Sequence, residues 1–485
     1  MYVWVYHCVS PRAAPMLPSK TLEIMGIRGM EMLRRVAVAL LAGLLSSCAS
    51  ARSSLPEMPA LSLPFTPGPI AGDPACAGSW RLQDGGGIAV TPSEEGLRWQ
   101  SLEGETGRFV FENDLWQAYS GWTEQPETRQ LEFTCETGLS LYEGVAATRI
   151  EVVTQETVFS GAKGTQLAGR LILPAGDWPV PVVIQVQGSE RTSALIHDPF
   201  QQLLPLQGVG VFVYDKRGTG ASMGSYTQDF GVLATDAAAA SAEARRLAGP
   251  RLGRFGLHGA SQGGWVAPMA ARAVKPDFLI VSYGLLESPL AENRAQTVQD
   301  VTEAGFGPAA QMAAGMLADA AGAIMVSDFK SGYVELEALK KIYRNEPWYR
   351  YAKGEFTGEI LQHSDVVLRV AGPLRSDGTS WRHEGEPVLR GISAPVLWIL
   401  ASEDREAPPA YTRSRLKTLQ YEGRPITLAE YPGHDYGMRA FDSLPDGTRQ
   451  FTHFANGYAR MVADFASDTP IVPSYYNEAI ISNPR

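Results

Sequence analysis

The chain has 485 residues, more than one ordinary domain, so two or three compact units are expected. With 45% hydrophobic and 19% charged residues, 49 Gly and 33 Pro, it has the composition of a globular protein able to bury a large core. A net charge of −10, with no charge block, repeat or low-complexity run, argues against a nucleic-acid partner.

Residues 1–31 hold Met1, Met16, Met25 and Met30 in no coherent pattern, so the start of translation is expected at Met30 or Met32. Met32-Leu33-Arg34-Arg35 is a basic stretch, and Val36 to Leu45 is an apolar run. That run is about half the ~20 residues a membrane-spanning helix needs, but it has the length of a signal-peptide core. It ends in Leu45-Ser46-Ser47-Cys48, which resembles a bacterial lipobox. The resemblance implies a leader over 32–48, cleavage before Cys48 and acylation of its thiol. The protein would then be exported and anchored by lipid on the periplasmic side or the surface of a bacterial cell. An ordinary secretory signal with a chance cysteine is the alternative.

Of four Cys, Cys8 precedes the expected start and Cys48 would carry the lipid, leaving Cys76 and Cys135 as an even pair in an oxidising compartment. A bridge between them would close a loop of about 60 residues and contribute up to ~4 kcal/mol in the chain-entropy picture. Two buried free thiols are the other reading.

Residues 49–70 are rich in Ser and Pro and read as a tether. From 71 to 147, short runs such as GSWRL, GLRWQSL and RQLEFTC, separated by turns, predict a small β-rich domain. Runs 150–159 and 166–174 suggest a leading hairpin. The apolar runs 180–187, 210–215, 254–259, 277–284, 394–401 and 426–432 suit a parallel sheet buried on both faces. Helical stretches between most of them make a doubly wound α/β sheet the expected architecture. Its first part spans 148–285 and its second 386–485. Segments 289–305, 308–326 and 332–345 read as helices, so 286–385 is expected to be a helical cap. Trp348, Tyr349, Tyr351 and Trp381 there could line a pocket or form the cap's own core.

Gly259-Ala260-Ser261-Gln262-Gly263 fits G-x-S-x-G between a predicted strand and a predicted helix, the setting of a nucleophile elbow. A serine hydroxyl needs a base to become a nucleophile. Of the seven His, His258 lies on the strand before the elbow, where a buried structural role is expected. His434 follows the last predicted strand in a Gly-flanked loop, at the sheet edge where open α/β sheets bind ligands. The base needs a carboxylate to orient it. Asp404 follows the strand 394–401, with Glu403 and Asp435 as rivals. An oxyanion hole would use the backbone N–H of Gln262 and that of Ser189, which Gly188 helps to aim inward.

These motifs resemble the α/β-hydrolase superfamily over about 150–470, particularly bacterial esterase-like members with a helical insertion before the acid. Asp215, Arg217, Gly218, Gly220 and Ser222 are similar to its D-x-R-G-x-G-x-S loop, and the resemblance gives Asp215 and Arg217 a structural role. Gln187 stands where the family usually has His, which bears on the packing of the oxyanion loop.

The resemblance implies a serine hydrolase cleaving small carboxylic esters through an acyl-enzyme, with Ser261, Asp404 and His434 as the triad. A peptidase or amidase, a thioesterase and a non-catalytic lipoprotein binding module are the alternatives. No cofactor or metal is expected, because paired His/Cys spacings and a P-loop are both missing.

Overall fold

The computed structural model describes residues 76–484, apart from 94–95, 113–114, 128–138, 143–144 and 477. The leader, Cys48, the tether at 49–70 and Cys135 lie outside the described residues. The described part belongs to one compact unit.

Strands β1 (Gly78–Leu82), β2 (Gly87–Ser93), β3 (Gly96–Ser101), β4 (Thr106–Glu112), β5 (Leu115–Ser120), β6 (Leu139–Tyr142) and β7 (Val145–Arg149) form a seven-stranded sheet ordered β5-β4-β3-β2-β1-β7-β6. Every pairing in it is antiparallel. Trp80, Val90, Leu97, Trp99 and Cys76 are buried together on it.

The second sheet begins with the hairpin β8 (Val152–Ser160) and β9 (Gln166–Pro174) and continues through β10 (Val180–Val186), β11 (Gly210–Tyr214), β12 (Leu252–Ala260), β13 (Phe278–Ser282), β14 (Val396–Ala401) and β15 (Ile426–Tyr431). A meander of β16 (His434–Asp435), β17 (Arg439–Ser443) and β18 (Arg449–Phe454) follows, and β19 (Ile480–Ser482) closes the edge of the large sheet. The order is β19-β15-β14-β13-β12-β10-β11-β9-β8, parallel from β11 to β15 and antiparallel at both ends. With the serine elbow after β12, this is the strand order of an α/β-hydrolase sheet.

The parallel strands read as continuous apolar runs because helices cover both faces. Val183, Phe212, Ile280, Val281, Leu397 and Trp398 are fully buried, each contributing roughly 1.5–3 kcal/mol relative to an exposed side chain. Helices Phe230–Ala248 and Gly263–Val274 pack on one face, and Tyr458–Ala466 on the other.

Between β13 and β14 lies the helical insertion, with Pro289–Glu303, Pro308–Val326 and Tyr333–Tyr343 as its longest helices. Pro308–Val326 is long and apolar enough to cross a membrane, but half of that stretch is buried and its Ala313, Leu317 and Ile324 sit in the insertion's own core. Trp348 belongs to that core, with Tyr349, Tyr351 and Trp381 packed against it. Trp381 meets Phe356 edge-on at 5.2 Å. These aromatics therefore serve the insertion's packing.

The β-rich sheet packs on the hydrolase layer. Ser79 Oγ donates to Gln202 O at 2.7 Å, Phe454 N to Gly104 O at 2.8 Å and Gln450 Nε2 to Trp122 O at 2.9 Å. Trp122 also packs edge-on against Phe454 at 5.1 Å.

Candidate active site

Ser261 sits between β12 and helix Gly263–Val274, near the centre of the large sheet. Its φ is +53°, a left-handed conformation that costs a non-glycine residue roughly 1–3 kcal/mol. The glycines of the motif make the turn possible. A Cβ at Gly259 would stand 2.2 Å from Gly263 O, and one at Gly263 would stand 2.0 Å from Val186 O. Ser261 N donates to Ser282 O at 3.1 Å, and Gly264 N donates to Ser261 O at 2.7 Å. The Ser261 backbone is thus held on both sides.

The loop expected to form an oxyanion hole runs from β10 through Gln187-Gly188-Ser189-Glu190. Lys216 Nζ donates to Gly188 O, and Tyr226 Oη donates to Ser189 O at 2.6 Å. Both bonds grip carbonyls, which leaves the N–H groups of the loop for other partners. Burial pushes the Lys216 ammonium down to about 8. The N–H groups of Ser189 and Gln262 make no hydrogen bond among the described residues. Side-chain polar atoms Gln187 Oε1, Glu190 Oε2, Gln262 Oε1 and Gln262 Nε2 are also buried without a partner. A cavity of about 190 Å³ lies beside this loop, lined by Gln187, Glu190, Asp198, Ala260, Tyr283 and Tyr458 among others. Gln100 of β3 and Phe454 of β18 also line it, so the β-rich sheet and the meander each contribute to its wall. Burial pushes Asp198 up to about 7.

The expected acid and base are placed differently from a hydrogen-bonded triad. Asp404 follows β14 and is buried, but its Oδ1 accepts from Glu406 N at 2.9 Å and Ala407 N at 2.6 Å, tying its own loop. Burial raises its carboxyl well above the usual range despite those two bonds. The turn at Pro432-Gly433, with Gly433 at φ +72°, delivers His434 into β16, where it pairs with Ala440. Its Nδ1 lies 2.8 Å from Pro432 O and its Nε2 lies 3.5 Å from Glu478 Oε2. Burial lowers the affinity of this imidazole for a proton. Among the described residues neither Asp404 nor His434 hydrogen-bonds Ser261 or the other. The rival acids are committed as well: Asp435 accepts from Arg405 N at 2.9 Å and pairs with Arg449 at 2.6 Å. Glu403 lies half-exposed, 3.8 Å from Arg449.

No hydrogen bond reaches the Ser261 side chain among the described residues; Tyr436, two residues beyond His434, is near enough for the serine hydroxyl to favour its phenolate. It packs against Tyr283 at 5.1 Å, ring edge to ring face. Burial, reinforced by Glu406 and Glu190, raises its phenol well above 10. Sequence reasoning passed over Tyr436 because a phenol is not a usual base. Its position just before Gly437, in the loop already singled out, was the available signal.

The remaining expectations fall into structural roles. His258 is buried with Nε2 2.8 Å from Ser282 Oγ, and burial pushes it down to about 3. Asp215 accepts from Ser193 Oγ at 2.7 Å and Ala221 N at 2.8 Å. Arg217 makes two 2.7 Å bonds to Asp236. These bonds fasten the loop after β11.

Neither a family model nor a curated protein matches the chain. Solved structures do. The chain is similar to an esterase of Pyrococcus furiosus at 13% identity, over 59% of this chain and 84% of that one, with a TM-score of 0.38. It is similar to brefeldin A esterase, a bacterial homologue of human hormone sensitive lipase, at 17% identity over 66% and 78%, with a TM-score of 0.39. It is also similar to acetyl xylan esterase 1 of a Thermoanaerobacterium species, at 14% identity over 66% and 88%, with a TM-score of 0.36. The chain's own strand order and serine elbow define its class as a protein of α/β-hydrolase fold.

Proposed function

We propose that the protein is a serine hydrolase that cleaves small carboxylic esters through an acyl-enzyme on Ser261. The strained elbow that holds Ser261 at φ +53° carries this reading, since that cost has an evident use where a nucleophile must stand clear of the sheet. Ser261 Oγ attacks the ester carbonyl, and the N–H groups of Gln262 and Ser189 receive the oxyanion. The Tyr436 hydroxyl takes the Oγ proton while giving its own to the departing alkoxide. Water then attacks the acyl-serine, giving a proton to the Tyr436 hydroxyl as that hydroxyl passes its own to Oγ, and the carboxylic acid leaves.

A second reading keeps His434 as the base, oriented by Asp404. The order of Ser261, Asp404 and His434 along the chain favours it. It requires the turn at Pro432-Gly433 to swing the ring from Glu478 to Ser261.

A panel of p-nitrophenyl esters of rising acyl length, run beside anilide and thioester analogues, tests the substrate class. Ester turnover that vanishes in Ser261→Ala supports the proposal. Turnover of the anilide alone would make the protein an amidase, and turnover of none would leave a binding module.

We also propose that the protein is exported and held at a membrane by lipid on Cys48, with Cys76 and Cys135 paired. Cys48→Ser should release it from the membrane fraction with ester hydrolysis unchanged. Sedimentation of that variant with membranes after a high-salt wash would refute the anchor.

A further inference from the structure

His434 of β16, His453 of β18 and Glu478, just before β19, each present one ligand atom, and these atoms all lie within 4.8 Å of one another. We infer that the three side chains form a site for one zinc ion, an inference that rests on the reading in which Tyr436 rather than His434 serves Ser261.

The argument begins at His434. Its side chain is 4% exposed, and its Nε2 is buried without a hydrogen-bond partner. Its Nδ1 lies 2.8 Å from Pro432 O, and a carbonyl oxygen can only accept, so Nδ1 carries the proton of the neutral ring. The lone pair of Nε2 then faces the Glu478 carboxylate at 3.5 Å, lone pair against lone pair. Two such donors turned toward each other from separate segments call for a cation between them.

Ligand bonds of about 2.0–2.2 Å around a tetrahedral ion place neighbouring donor atoms roughly 3.3–3.6 Å apart. The His434–Glu478 pair already stands at 3.5 Å, and the remaining ligand atoms, within 4.8 Å, would close on the ion as it binds. His453 approaches with its ring centroid 6.2 Å from that of His434, the planes nearly perpendicular. Its Nδ1 lies 3.0 Å from Thr452 Oγ1, which orients the ring and leaves Nε2 as the ligand atom. A backbone carbonyl on the far nitrogen of a ligating His is the arrangement by which proteins fix tautomer and orientation at metal sites. Two imidazoles and one carboxylate favour zinc over magnesium or calcium, which prefer oxygen. Three protein ligands leave a fourth position for water. The ion would fasten the meander to the C-terminal segment and hold His434 away from Ser261.

The test uses the full chain without a histidine tag, stripped by chelator and dialysed against Zn²⁺. Bound metal is counted by atomic absorption, and Co²⁺ in its place is read by the visible bands of a four-coordinate ion. One zinc per chain is expected. His453→Gln and Glu478→Gln should each weaken binding by more than about tenfold, at least the effect usual for outer-shell partners. His363→Gln, at an exposed position elsewhere, should leave binding unchanged. These variants avoid the buried His434, so folding does not confound the result. Absence of bound zinc, which would leave only a protonated His434–Glu478 ion pair, overturns the inference. Equal zinc in all three variants overturns it as well.

Discussion

The elbow at Ser261 and the meander at His434 are built on different principles. Ser261 stands at the end of β12, in the middle of nine strands, fixed by backbone contacts that a single methyl group at Gly259 or Gly263 would violate. His434 stands on a two-residue strand outside the large sheet, and its direction is decided by what its two ring nitrogens meet. The first kind of placement follows from covalent geometry and steric exclusion. The second depends on which side-chain partners arrive from distant segments, here Glu478 and His453. A residue set by backbone is therefore firmly located, while one set by side chains can be drawn aside by its neighbours.

The largest expected effect falls on the elbow. Ser261→Ala should lower kcat by about 10⁴–10⁶-fold with the thermal unfolding midpoint nearly unchanged, the loss seen when a nucleophile is removed from a catalytic group that acts as a unit. Residual activity within tenfold of the parent would shift the nucleophile elsewhere.

The comparison itself is sharpened by a pair of variants. Tyr436→Phe should reduce kcat by about 10²–10⁴-fold, the usual size of a general acid–base contribution, and His434→Gln should cost less than tenfold in the same assay. A reversed order would mean that the turn at Pro432-Gly433 rearranges and the His434 reading holds.

A smaller effect is expected behind the oxyanion loop. Lys216→Met removes the donor to Gly188 O and should loosen the Ser189 N–H, lowering kcat by up to about 10²-fold. Since the loop acts on the developing oxyanion, KM should move little. A rise in KM with kcat unchanged would make Lys216 a substrate-binding group.

The smallest effect is on stability. Burial, reinforced by Glu355, raises Glu406 from 4.5 to about 8. Between those values the folded state keeps a proton that the unfolded chain has released, so this group's contribution to stability falls as pH rises from about 4.5 to 8. The slope is at most about 1.4 kcal/mol per pH unit. Glu406→Gln should flatten the dependence of denaturation midpoint on pH across that window. An unchanged slope would remove Glu406 as its source.

Much of the scaffold was legible in the sequence because burial on both faces writes itself as continuous apolar runs. The run 394–401 became β14 and 426–432 became β15 within a residue or two. Ser261 was legible for a related reason: the glycines on either side report a turn too tight for side chains. The meander was not, because β16 has only two residues and β17 and β18 are short and only partly buried, so no apolar alternation announces them. The direction of His434 was hidden further, since Glu478 lies 44 residues away in the chain (478 − 434) and no local pattern links them. The aromatics of the insertion were legible only as two alternatives, pocket wall or core. Trp348 and Trp381 pack against Tyr343 and Phe356, as a segment that needs a core of its own requires.

The central claim is that Ser261 is the nucleophile, and covalent labelling tests it most directly. A fluorophosphonate probe incubated with the folded full chain should form one adduct, found by peptide mass spectrometry on Ser261, and heat-denatured protein should form none. An adduct on another residue, or no adduct on folded protein that still hydrolyses esters, would contradict the account.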